Sequence, residues 1–137
     1  MEDLATLANI AEIHMIQGDH KRAHEVLERE LRGYQAARQQ RGQAGVLYNL
    51  ARVHHRAGDR DVSSEYYESA LALARQLSDS VLESRSLEGI AIGCLSHGAY
   101  DRARTSIEEA VALSRRTGDS AELGRRLVSL GKVLLHQ

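Results

Sequence analysis

The sequence predicts an all-α protein, an α-solenoid of antiparallel helix pairs, on three observations. First, Gly18, Gly58 and Gly98 stand 40 residues apart, and their surroundings repeat with them: Leu7, Leu47, Leu87 and Leu127, then Ile10, Leu50, Ile90 and Leu130, then Ala11, Ala51, Ala91 and Gly131. A fixed period in this range marks a protein of stacked repeats. Second, apolar residues between the glycines recur at intervals of three and four, the helical spacing. Third, no long stretch alternates with period two, no Asn-Gly or Asp-Gly hairpin signal occurs, and the chain has no proline.

Seven helices follow in order. The first spans roughly 2–17, with Leu4, Leu7, Ile10, Ala11 and His14 on one face. Gly18-Asp19 ends it, because glycine accepts the left-handed backbone of a helix terminus. The second covers about 20–38, with Ala23, Val26, Leu27 and Leu31 inward. Gly33 lies inside it, at a propensity cost of about 1 kcal/mol relative to Ala. The third and fourth cover about 41–57 and 60–77, and Ser78-Asp79-Ser80 supplies a turn and an N-cap. The fifth and sixth cover about 80–97 and 100–116. Thr117-Gly118-Asp119-Ser120 repeats the turn, and the seventh runs from near 120 to the end. No linker or low-complexity stretch interrupts the series, so one domain over 1–137 is expected, in repeats 1–40, 41–80, 81–120 and 121–137. Small residues recur where paired helices cross: Ala11, Ala51, Ala91 and Gly131 on the first helix of each pair, Ala23, Ser63 and Ala103 on the second.

Composition narrows the class. The net charge of −1 gives no global pull toward nucleic acid or an anionic membrane. The one cysteine, Cys94, excludes an internal disulfide framework and suits a reducing compartment. No apolar run approaches the ~18 residues of a membrane span. The acidic start, Met1-Glu2-Asp3, has no signal-peptide pattern, so a cytoplasmic location is expected. No phosphate-cradling glycine loop, His-Glu-x-x-His or Gly-x-Ser-x-Gly occurs, so no catalytic residue, enzyme activity or cofactor is expected. Seven histidines do not make a metal site by pattern, since a site needs three or four converging ligands. His14 and His54 share a repeat position with Cys94 and Leu134 and read as partly buried core residues; His20 and His24 read as surface residues.

These residues resemble the tetratricopeptide repeat. The second unit reads Leu47, Leu50-Ala51, His54, Gly58-Asp59, Ser63, Tyr67, Ala70-Leu71. The third reads Leu87, Ile90-Ala91, Cys94, Gly98-Ala99-Tyr100, Ala103, Ile107, Ala110-Val111. The first departs at Glu30, where Ala belongs, and the fourth supplies only its first helix, with Leu127, Leu130-Gly131 and Leu134. The interval of 40, longer than the common 34, is similar to the repeats of kinesin light chains, Pins-type adaptors, bacterial peptide-sensing regulators and large bacterial transcriptional activators. The resemblance implies a right-handed superhelix whose concave groove is lined by the first helix of each pair.

By that register the groove takes Ala5, Ala8, Asn9, Glu12 and Ile16 from the first unit and Tyr48, Asn49, Arg52, His55 and Arg56 from the second. The third gives Arg85, Glu88, Gly89 and Ile92, and the fourth Arg125, Val128, Ser129 and Lys132. Five basic residues against two acids favour an acidic peptide or a free C-terminal carboxylate, which Arg holds bidentately. Asn9 and Asn49 occupy equivalent sites, and an Asn there in this family bonds an extended ligand's backbone. The same residues also suit a merely solvated face. The expected function is a non-catalytic protein–protein interaction scaffold binding a peptide or partner helix, with no nucleic acid or membrane as partner. Two alternatives stay open: a sensor region of a bacterial transcriptional activator, and a self-assembling module. The fourth unit shows Leu127, Leu130 and Leu134 with no second helix after them. Either the chain is a piece of a longer protein, or a second copy covers that face in a homodimer.

Overall fold

A computed structural model describes residues 3–135. Among them are seven helices and no strand: α1 (Leu4–Ile16), α2 (His20–Ala36), α3 (Gln40–Arg56), α4 (Arg60–Gln76), α5 (Ser80–Ser96), α6 (Tyr100–Thr117) and α7 (Ser120–Leu134). The expected helices fall on these within one to two residues. The outermost expected ends, residue 2 and residues 136–137, lie outside the described residues.

The six turns share one backbone device. Gly18, Arg38, Gly58, Ser78, Gly98 and Gly118 all take positive φ, between 55° and 83°. At the first five, the amide of the third residue beyond the helix reaches back to a carbonyl five positions earlier: Asp19 N–H to His14 O, Gln39 to Tyr34, Asp59 to His54, Asp79 to Ala74 and Ala99 to Cys94, all at 2.9 Å. The 6→1 bond of the Schellman motif satisfies a carbonyl that the helix leaves open. At three turns the aspartate that follows then caps the next helix. Asp19 accepts from Arg22 N–H at 3.2 Å, Asp79 from Leu82 N–H at 3.1 Å, and Asp119 from Ala121 and Glu122 N–H, both at 3.1 Å. The turn therefore recurs every 20 residues, at twice the frequency that the 40-residue glycine spacing suggests.

The chain gathers into two compact units, Met1–Ser69 and Ala70–Gln137, with the boundary inside α4. In the first unit, α1 packs on α2 and α2 on α3. Leu7, Ala11, Met15, Ala23, Val26, Leu27, Val46, Leu50 and Val53 form its core, with Leu4, Ile10, Leu31, Tyr34 and Tyr66 against it. Each large aliphatic side chain buried there contributes about 1.5–3 kcal/mol. Ala11 and Ala23 are 1% and 0% exposed at the α1–α2 crossing. In the next pair the Ser63 hydroxyl donates to the Ala51 carbonyl at 2.8 Å, so this crossing is close enough for a side chain to bond the facing backbone. The helix-interior Gly42 has a reason of the same kind: a Cβ there would meet the Tyr34 ring at 2.2 Å.

In the second unit α5 packs on α6, and α7 on both. Leu87, Ile90, Ala91, Cys94, Ala103, Ile107, Ala110 and Val111 are buried there. Cys94 is a small core residue, as its repeat position suggested.

Ser78 and Arg38 carry a Cβ in the left-handed region, which costs about 1–2 kcal/mol that glycine avoids. Replacing Ser78 by Gly should stabilise the fold by about 0.5–1 kcal/mol after the entropy glycine adds to the unfolded chain. Chemical denaturation checks this; an unchanged or lowered midpoint for Ser78→Gly would contradict the turn assignment.

Candidate partner-binding face

In the first unit, α1 and α3 bring part of the expected face together. Arg52 Nη1 donates to Asn49 Oδ1 at 3.3 Å and lies 3.7 Å from Glu12 Oε2, which ties α3 to α1. The Arg52 side chain is 29% exposed and that of Glu12 47%, so the pair lies at the surface and is weakly held. Asn9 and Arg56 are exposed, and Asn49, Tyr48 and His55 are half-buried. Tyr48 meets Tyr67 of α4 edge to face, with centroids 5.8 Å apart. Burial pushes the His55 imidazole below its ordinary range, and the nearby Arg60 and Arg56 charges add to the effect.

The second unit treats the same register differently. Arg126 of α7, 3% exposed, donates from Nη2 to Glu122 Oε2 at 2.6 Å and pairs through Nη1 with Glu88 Oε1 of α5 at 2.8 Å. Glu122 Oε1 also accepts from Arg85 Nη2 at 2.6 Å and from Arg125 Nη1 at 3.2 Å. The Ser129 hydroxyl donates to the remaining Glu88 oxygen. The Arg85 hydrogen bond, opposed by burial and joined by the three guanidinium charges, holds the Glu122 carboxyl below its usual range. So Arg85, Glu88 and Arg125, expected to meet a partner, sit in an ion-pair network around Glu122. Neither Glu122 nor Arg126 was in the expected set. A signal existed: Arg126 falls on the repeat position of Val46 and Ser86, which are 2% and 0% exposed, and Glu122 stands one turn before it. Lys132 and Val128 are exposed.

On α7, Leu127 and Leu134 are 40% and 42% exposed, whereas Leu7, Leu87 and Cys94 at the same repeat positions are 3%, 3% and 8% exposed. Leu130 is half-buried. An apolar hollow of about 270 Å³ lies beside them, lined by Ala91, Ile92, Leu95, Ile107, Ser129, Lys132 and Val133.

Outside the expected face, His14 and His54 are half-buried, as expected. His20 and His24, expected at the surface, are half-buried too. The reason at His24 is contact: its Nδ1 lies 3.0 Å from His54 Nε2. Among the described residues no three His, Cys, Asp or Glu converge to hold a metal ion, and no helix is long and apolar enough to cross a membrane. Glu30, the departure noted in the first repeat, is 4% exposed, and its Oε2 has no hydrogen-bond partner among the described residues. Burial raises its carboxyl above the ordinary range.

A repeated helical hairpin, crossing alanines and left-handed turn residues define a class of helical repeat proteins, and the comparisons specify which. The chain belongs to the tetratricopeptide repeat family, whose family model matches residues 2–76 and 42–116. Such repeats generally mediate protein–protein interaction and are typically non-catalytic scaffolds. No curated protein sequence matches the chain. Among solved structures it is similar to BtubC (BKLC) from P. vanneervenii, at a TM-score of 0.83 and 20% identity over 97% of this chain. It is also similar to a kinesin light chain-type protein with nearly identical TPR-like repeats from Podosopora anserina, at 0.82 and 19% identity over 99% of this chain and 69% of that one. The chain spans 56% of the length of BtubC. At these identities the likeness shows the fold alone.

The Glu30 position carries Ala70 and Ala110 in the other repeats, both 0% exposed. An unsatisfied buried carboxyl costs about 1–3 kcal/mol. A carboxyl whose folded-state pKa is raised contributes stability below its unfolded pKa and loses it as pH rises through the folded value. Glu30→Ala should therefore stabilise the protein by about 1 kcal/mol near pH 7, net of the packing its stem loses, and the gain should fade toward about pH 4. Thermal unfolding of both proteins across that range is the check.

Proposed function

We propose that this chain is a non-catalytic scaffold whose α1–α3 face takes an acidic segment of a partner protein. The observation that carries the reading is the Arg52 guanidinium, held at the surface between Asn49 and Glu12. Its contacts are of the exposed kind, worth about 0–1 kcal/mol. A partner carboxylate offers a charge-assisted hydrogen bond worth about 1.5–3 kcal/mol and displaces them at a net gain. Asn49 brings an amide group with both donors and an acceptor for an extended backbone, and exposed Arg56 on the same helix adds positive charge. His55 sits among those charges, and its lowered pKa keeps the imidazole neutral near pH 7, so the attraction rests on the arginines. Asn9 extends the polar face on α1.

A second reading has its own observation. Leu127 and Leu134 are exposed where equivalent positions are buried or half-buried, which suits α7 to meet a second copy of this chain. The two readings use different helices and are compatible.

Titration calorimetry with acidic peptides ending in a free or an amidated carboxyl group tests the first reading. The double substitution Asn49→Ala with Arg52→Ala should weaken binding at least tenfold, about 1.4 kcal/mol, with helicity unchanged by circular dichroism. Equal affinity for the two proteins would remove the α1–α3 face from the reading. Light scattering tests the second: the native chain should associate with concentration, and Leu127→Glu should abolish this. A native chain that stays monomeric at high concentration ends that reading.

A further inference from the structure

His24 of α2 and His54 of α3 place ring nitrogens Nδ1 and Nε2 3.0 Å apart across the seam between these helices. The rings meet edge to face, with centroids 5.0 Å apart. Each turns its other nitrogen toward a carboxylate. His24 Nε2 lies 3.4 Å from Glu28 Oε1, and His54 Nδ1 lies 3.6 Å from Asp59 Oδ2. Tyr66 of α4 stacks on His54, with centroids 5.5 Å apart. The four ionisable groups therefore form a line: carboxylate, imidazole, imidazole, carboxylate.

Counting protons decides what this line holds. Two neutral imidazoles carry two N–H groups between them. One must fill the central contact, since two bare nitrogens at that distance repel. Its donor ring then has no proton on its outer nitrogen, so one carboxylate faces a lone pair. With three protons every contact is satisfied: an N–H lies between the rings and another points at each carboxylate. A fourth would set two N–H groups head to head at 3.0 Å and force the rings apart.

We propose that His24 and His54 form a one-proton site, which clasps α2 to α3 when a single proton is added and opens when a second is forced in. The surroundings agree. His20, Lys21 and Glu25 of α2 line the hollow on one side of the pair with Asp59. On the other side lie His14 of α1 and, from α2, Arg22, Arg29 and Arg32. Arg32 Nη1 is 3.9 Å from the second Glu28 oxygen, so that carboxylate is shared between Arg32 and the pair. Burial, with Glu28 and Glu65 adding, raises the Tyr66 phenol, which keeps it neutral and leaves it to contribute a ring face only. Burial and the His24 charge lower the His54 imidazole, against the pull of Asp59, which opposes full charging of the pair.

The sign of the pH dependence follows. The contacts that the first proton completes outweigh the burial that lowers the His54 imidazole, so stability rises as pH falls through that uptake. It disfavours the second, so stability falls again on further acidification. The test is ring-nitrogen NMR of the full chain from about pH 8 to about 5, the range in which imidazole changes charge. The expected result is that the two rings shift together and take up one proton per pair, half of what independent imidazoles take, with a thermal midpoint that peaks inside the range. His54→Gln should leave His24 titrating alone and remove the peak. Should that variant fail to fold, Glu28→Gln at the half-exposed end should weaken the first uptake several-fold. Two rings that each take a proton independently, or a titration indifferent to Glu28→Gln, would overturn the proposal.

Discussion

One backbone feature fixes the rest of this fold: the left-handed residue that ends each of the first six helices. It lets the chain close a turn of two or three residues, bond back to a carbonyl five positions earlier at five of the six, and begin the next helix at once. Because α2 to α7 begin at 20-residue intervals, at His20, Gln40, Arg60, Ser80, Tyr100 and Ser120, the apolar positions recur at the same place along each helix. Adding one residue to a turn would rotate the following helix by about 100° and carry its apolar stripe off the core. The burial of Leu7 in the first unit and of Leu87 in the second depends on that constancy. So does the close approach at the crossings, where the Ser63 hydroxyl can reach the Ala51 carbonyl.

Much of this was legible in the residues themselves. Glycine marks four of the six left-handed positions, and the small residues at 11, 23, 51, 63, 91 and 103 mark the crossings. Arg38 and Ser78 were harder to read, because an ordinary side chain in the left-handed region is permitted only when neighbouring helices enforce the turn. The helix bounds still emerged, since apolar spacing and the Asp caps delimit them independently. Polar burial was the main loss. Arg126 and Glu122 of α7 had no place in the expected set, and their contacts with Glu88 and Arg85 show why they lie inside. His24 was misread for a similar reason: its partner is 30 residues away.

The charge count on the expected face illustrates the same point physically. Five basic residues against two acids left out Glu122, which neutralises Arg85 and Arg125 as well as pairing with Arg126. In the second unit the arginines of the repeat register therefore act mainly as internal ties between α5 and α7. In the first unit Arg52 is tied only loosely, to Asn49 and to a half-exposed Glu12. Arginines of the expected face thus form a structural lock on α7 and a loosely tied surface group on α3, depending on how deeply the countercharge is buried.

The buried Arg126–Glu122 pair, with the half-buried Glu88 against it, has a consequence for a chain that resembles itself so closely. Helices with interchangeable apolar faces invite mispairing, in which a late helix docks on the wrong sibling during folding. Shape alone penalises such an error little. If α7 settled anywhere lacking Glu88, Arg126 would keep Glu122 but leave its other donors without a partner, a loss of about 1–3 kcal/mol. The polar triad thus acts as an address that favours one neighbour of α7 over the rest.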